Sequence, residues 1–242
     1  IYIPSKKSIK TNTCPFFKFM KITCNKIYKS FQDNTMTLNR DVLRGISFDL
    51  ESGDSLSISG PSGAGKSTLL NIISGLDDAD RGDIYFDNLC FSNLKTNEKT
   101  KFRLQNISLV FQSFNLLKDF NVLENIILPL SYKGLSKKDS EKHALSALDD
   151  VDLSNFKSSS VTTLSGGEAQ RVGIARALAM NSKIILADEP TGNLDKDTSN
   201  SIVNSLVDVC KMNKVSLVVV SHDDSVLSKL NINKKIMDGK FI

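Results

Sequence analysis

The chain has little of what a disulfide-built, membrane-spanning or nucleic-acid-coating protein needs. Four cysteines occur in 242 residues, and Cys14, Cys24, Cys90 and Cys210 are scattered without a Cys-x-x-Cys pair. That spacing excludes a disulfide framework and a zinc site, and it reads as reduced, cytosolic thiols. No apolar run approaches the ~18 residues that span a bilayer. The candidates, Ile126–Leu130 and Leu217–Val220, are short, so any membrane role requires a partner. Charge of one sign is lacking too: 31 basic and 27 acidic residues leave +4, too mild to argue for nucleic acid. No internal repeat is present. The one N-terminal apolar cluster, Phe16 to Met20, is broken by Lys18 and fits a secretory signal poorly.

What is present is the composition of a folded domain, with 40% hydrophobic and 24% charged residues. The length allows one large α/β domain or two small ones. Residues 1–19, rich in Lys, Thr and Ser and without a clear period, read as a disordered or spurious leader, with Met20 as the start of the domain. Lys21–Tyr28 reads as an edge strand and Val42–Leu50 as a second strand. A short hairpin is expected at Gly82–Asn88 and a buried strand at Ile107–Phe111. Residues 119–163 change character. A short apolar helix, Glu124–Leu130, is ended with help from Pro129, and a second helix is capped by Ser136. A long helix follows from Gly166, then a strand at Ile184–Ala187, a helix near Thr198–Lys211, and strands at Ser216–Val220 and Lys235–Met237. Strands alternating with helices predict a mainly parallel sheet.

The chain is organised around Gly60-Pro61-Ser62-Gly63-Ala64-Gly65-Lys66-Ser67-Thr68, a phosphate-loop pattern. Ser55–Ser59 before it alternates as a strand does, and Leu69, Leu70, Ile72 and Ile73 after it suit one helix face. Glycines let consecutive N–H groups turn inward around phosphates, and the helix N-terminus adds its dipole. Lys66 is placed to reach the β- and γ-phosphates, and the Ser67 hydroxyl to ligate Mg²⁺.

Two further motifs join it. The apolar strand from Ile184 ends in Asp188-Glu189. With a phosphate loop present, Asp188 is expected to hold Mg²⁺ and Glu189 to polarise the attacking water as general base. Leu164-Ser165-Gly166-Gly167-Glu168 carries a capping-box pattern and leaves a helix N-terminus open to an anion.

These three motifs, in this order, resemble the nucleotide-binding subunit of an ATP-binding cassette (ABC) transporter, over nearly all of Met20–Ile242. The resemblance implies an α/β P-loop NTPase core, an N-terminal antiparallel β subdomain and a helical subdomain inserted at about 113–163. It implies ATP and Mg²⁺ as cofactors and ATP hydrolysis coupled to transport. Gln112 matches the glutamine that contacts Mg²⁺ and senses the membrane partner. Asp195 in Asn193-Leu194-Asp195 matches the loop that spans the dimer interface, and His222 the histidine that contacts the γ-phosphate. Phe31 is the candidate for stacking on adenine, with Tyr28 second. Two copies are expected to pair head to tail, so that each ATP lies between Lys66 of one and Ser165 and Gly167 of the other. The partners implied are integral membrane permease subunits, at the cytoplasmic face of the inner membrane, and no nucleic acid. Phe114, Leu116, Leu117 and Phe120 are read either as lining the permease groove or as core. Ala187–Asp195 resembles the group holding lipoprotein-releasing, macrolide-export and cell-division ATPases. Gly75-Leu76-Asp77 and Phe120–Leu130 look most like the lipoprotein-releasing type. A cell-division regulatory ATPase, another exporter of the group and a soluble non-transport ATPase remain as alternatives.

Overall fold

The computed structural model describes residues 20–32, 39–192 and 196–242. The expected leader, residues 1–19, lies outside them. The chain opens with β1 (Ile22–Gln32) and β2 (Asn39–Leu50), then β3 (Ser55–Ser59) and α1 (Lys66–Ser74). β4 (Arg81–Phe86), β5 (Leu89–Cys90), α2 (Thr96–Asn106) and β6 (Ile107–Val110) follow. Next come α3 (Val122–Tyr132), α4 (Lys137–Asp150), two 3₁₀ turns, and α5 (Gly166–Ala179). The remainder is β7 (Ile184–Asp188), α6 (Lys196–Met212), β8 (Ser216–Val220), α7 (Asp224–Leu227), β9 (Ile232–Met237) and β10 (Lys240–Phe241).

These strands form two sheets. One is antiparallel, in the order β2-β1-β4-β5, and the other runs β10-β9-β3-β8-β7-β6 with parallel pairing from β9 to β6. β8 is buried at every position, as befits a strand covered on both faces. Alternate residues of β7 and β8 feed two cores. Ile185, Ala187, Leu217 and Val219 face α3 to α6, whereas Ile184, Leu186, Val218 and Val220 face α1 and the antiparallel sheet.

Two expectations need correction, and one helix carried none. β1 is not an edge strand but an inner one, because β4 returns to pair with it through Ile22↔Phe86 and Cys24↔Ile84. The edge beside it is β2. α3 does not stop near Pro129 but runs on to Tyr132. Proline there forgoes one hydrogen bond, and the full burial of Val122, Ile126 and Leu130 outweighs that loss. α2 was not foreseen, since its surface is polar and Lys99 alone of its residues is fully buried. Its anchor is Phe102, whose ring stacks 4.7 Å from Phe86 and 5.2 Å from Phe91.

The segment after Gln112 is held from behind. Arg176 donates to the carbonyls of Phe114 and Asn115 at 2.8 and 2.7 Å. The buried Asn125 amide accepts from the Leu117 N–H at 2.7 Å and donates to the carbonyls of Leu117, Phe120 and Asn121. Leu116 packs on the core, while Leu117 and Phe120 remain exposed.

Candidate nucleotide site

An open α/β sheet binds ligands beyond the C-terminal ends of its strands, and here those ends bring the expected residues together. β3 runs into the loop Gly60–Gly65 and α1. Gln112 lies two residues beyond β6, Asp188 ends β7, and His222 lies two residues beyond β8. A cleft of about 740 Å³ is lined by the phosphate loop through Thr68, by Gln112, Glu189 and His222, and by Arg40 and Val42 from β2.

The loop is shaped for close approach. Gly65 caps α1 with φ 100°, and a Cβ on it would lie 2.8 Å from the Val42 carbonyl oxygen. No other residue fits both the backbone angle and the space. The first turn of α1 carries no acid of its own, and its positive end opens onto the cleft. Lys66 is nearly buried, and its Nζ donates to the carbonyls of Gly60 and Pro61 at 2.9 and 3.0 Å. Ala64 turns into the core, and its N–H is taken by the Pro61 carbonyl at 3.2 Å.

Asp188 at the end of β7 and Glu189 just beyond it differ in environment. Burial raises the Asp188 pKa above its ordinary value, and the Glu189 charge adds to this; the Ser67 hydroxyl bonded to the carboxyl and the Lys66 charge oppose it. Asp188 Oδ1 is buried and has no hydrogen-bond partner. A buried oxygen of this kind calls for a ligand. With the Ser67 hydroxyl beside it, the donor set suits Mg²⁺. That ion takes one or two protein oxygens and completes its octahedron with water and phosphate oxygens. No cluster of three or more His, Cys, Asp or Glu occurs among the described residues, so a cage built wholly from such side chains is not formed there.

Glu189 sits in the left-handed region at φ 45°, a conformation that costs about 1–3 kcal/mol outside glycine. Its N–H donates to the Val220 carbonyl at 2.9 Å, which locks the turn to β8. Its two carboxylate oxygens lie 3.0 and 2.9 Å from His222 Nδ1. An ionised carboxylate only accepts, so Nδ1 carries the proton of that contact. The Gln112 amide nitrogen lies against Gly192, 3.1 Å from where a Cβ would stand, three residues beyond Glu189.

Other expected residues lie elsewhere. Ser165, Gly166, Gly167 and Glu168 form the N-terminus of α5 and do not line the cleft. Ser165 Oγ accepts from the Glu168 N–H at 3.3 Å, while the Glu168 carboxylate accepts from the Ser165 N–H at 2.8 Å and from its hydroxyl at 2.7 Å. Those bonds hold the Glu168 pKa below its ordinary value and make Glu168 the brace of that turn. Phe31 is 45% exposed near the end of β1, with the Lys29 ammonium 5.2 Å from its ring centre. The Tyr28 ring is covered by Arg81 at 5.5 Å. Asp195 lies outside the described residues. Arg40 and Val42 carried no motif, because their place in the cleft depends on how β2 crosses the loop.

The fold and the cleft define a P-loop nucleotide-binding protein. The family model described as ABC transporter matches residues 43–192. The lipoprotein-releasing system ATP-binding protein LolD of Buchnera aphidicola is 39% identical over 219 residues, covering 90% of this chain and 95% of that one. LolD of Treponema denticola is 44% identical over 194 residues, covering 80% and 86%. A solved dimeric structure of the ATP-binding cassette MJ0796 in a post-hydrolysis state, bound to ADP and Pi, superposes with a TM-score of 0.85 at 37% identity, over 91% of this chain and 96% of that one. This chain belongs to the ABC transporter family.

Proposed function

We propose that this ABC ATPase powers the release of lipoproteins from the inner membrane, acting from its cytoplasmic face through separate integral membrane permease subunits. The observation that carries this reading is its similarity, over most of its length, to proteins of lipoprotein-releasing systems. No helix among the described residues is long and apolar enough to cross a membrane, which fits a division of labour with a permease. Its modest net charge gives no reason to invoke nucleic acid.

The loop N–H groups and Lys66 hold the phosphate chain of ATP, and Phe31 stacks on the base. Asp188, Ser67 and Gln112 would hold Mg²⁺, which when bound neutralises phosphate charge. Glu189 accepts the proton of the attacking water, with its carboxylate oriented by His222 Nδ1. Ser165 and Gly167 lie outside the chain's own cleft, and a second copy paired head to tail supplies them. Closing the pair completes two sites at once and moves the permease. A dimeric relative with ADP and Pi supports that arrangement.

The test is reconstitution of the chain, with candidate permease subunits, in liposomes that carry a lipoprotein. ATP is expected to drive lipoprotein into the soluble fraction, and lipoprotein to raise the rate of phosphate release. No release, with hydrolysis indifferent to lipoprotein but responsive to a macrolide or a division protein, would reassign the chain within its group.

A further inference from the structure

We infer that Arg40 is a second cation of the nucleotide cleft, gripping the phosphate chain from the β2 wall. This rests on the nucleotide reading of the cleft. β2 carries one extra residue against β1: Lys29 pairs with Leu43 and Ser30 with Asp41, which leaves Val42 without a partner. A bulge of this kind re-aims the side chains around it.

The bulge is seated firmly. The Val42 carbonyl oxygen would lie 2.8 Å from a Cβ on Gly65 of the phosphate loop and 2.7 Å from one on Gly239 in the β9–β10 turn. The Arg44 N–H donates to the Gly239 carbonyl at 2.8 Å. Val42 is therefore pinned between the loop and the turn, and Arg40 follows two residues away on the same strand. Its guanidinium Nη2 lies 3.4 Å from where a Cβ on Gly63 would stand, over the first half of the phosphate loop. Arg40 and Lys66 line the same space.

Two further observations point to a phosphate ligand. The adjacent carboxylate, Asp41, is 3.9 Å from Arg44, and among the described residues no ion pair engages Arg40. Across the ladder Arg40 is paired with Phe31. Directly opposed residues share a face of the sheet, so a base stacked on Phe31 would carry its phosphates past Arg40 on their way to Lys66. A guanidinium presents a planar fork of donors that suits phosphate oxygens.

The experiment is calorimetry of Mg-ATP and Mg-ADP at low and moderate salt, with the full chain and with Arg40→Ala, Arg40→Lys and Lys66→Ala. Arg40→Ala is expected to weaken both nucleotides about 5- to 20-fold, the low end for a charge-assisted bond at an exposed position. It should also flatten the dependence of Kd on salt, because one screened charge contact is gone. Arg40→Lys should restore the salt dependence and part of the affinity. If Arg40→Ala binds both nucleotides within twofold of the unmodified chain, with the same salt dependence, while Lys66→Ala loses binding, Arg40 has no such role. Equal losses in Arg40→Ala and Arg40→Lys with an unchanged salt dependence would likewise overturn it in favour of a shape effect. If Lys66→Ala binds normally, the nucleotide reading of the cleft fails and the role of Arg40 falls with it.

Discussion

Glu189→Gln is expected to bind ATP normally, to lose turnover by about 100- to 10,000-fold, and to accumulate as an ATP-bound dimer. The amide keeps the shape of the carboxylate but cannot take the proton of the attacking water. The position is built for that carboxylate. The backbone is held at φ 45°, the N–H is tied to Val220, and both oxygens face His222 Nδ1. The substitution also removes a negative charge from a cleft that must hold a polyanion, so the bound, closed form should gain stability. Asp188→Asn should behave differently, weakening the retention of Mg²⁺ and with it nucleotide positioning, since Asp188 Oδ1 is a buried oxygen beside the Ser67 hydroxyl and has no hydrogen-bond partner. Phosphate release, read beside light scattering after size exclusion with and without Mg-ATP, checks both variants. Near-normal turnover in Glu189→Gln would remove Glu189 as the base and leave His222 as the next group to test.

Ser165→Arg is expected to bind ATP within about twofold of the unmodified chain yet lose hydrolysis by at least about 100-fold, as removal of preorganised transition-state donors does. Ser165 lies on the N-terminus of α5, outside its own cleft, so binding by one chain should not sense the change. On the proposed pairing, a bulky cation there would block the surface that meets the γ-phosphate bound to a second copy. The change also removes a helix cap, at about 1 kcal/mol. Ser165→Ala removes the same cap without the bulk, so comparing the two separates folding from docking. Urea denaturation, calorimetry and phosphate release on both variants provide the measurement. Weakened ATP binding in the isolated Ser165→Arg chain, with its fold intact, would place Ser165 in its own chain's site.

Much of this was legible because it is local. A strand, a glycine loop and a helix lie within 20 residues at the phosphate loop, and the run Ile184 to Glu189 carries both the buried strand β7 and the two acids at its C-terminal edge. Gln112 and His222 are singled out by the family resemblance, whose motifs place each just past an apolar strand. What the sequence hid depends on distant partners. β1 is an inner strand only because β4 folds back on it. α2 is held through Phe102 in an aromatic cluster with Phe86 and Phe91, which no helical period reveals. α3 passes Pro129 because its buried face outweighs one lost bond. Arg40 enters the cleft through a bulge at Val42, a feature of strand register that composition does not carry.

On the proposed head-to-tail pairing, one chain holds half of a catalytic site. Ser165 and Gly167 stand apart from the cleft that gathers Lys66, Gln112, Glu189 and His222. The direct measurement is the ATPase rate per chain across a wide dilution series, with sedimentation at the same concentrations. The rate per chain should rise with concentration and level off as dimers form, and should fall toward zero where monomers prevail. A rate per chain that stays constant down to concentrations at which sedimentation finds only monomers would contradict it.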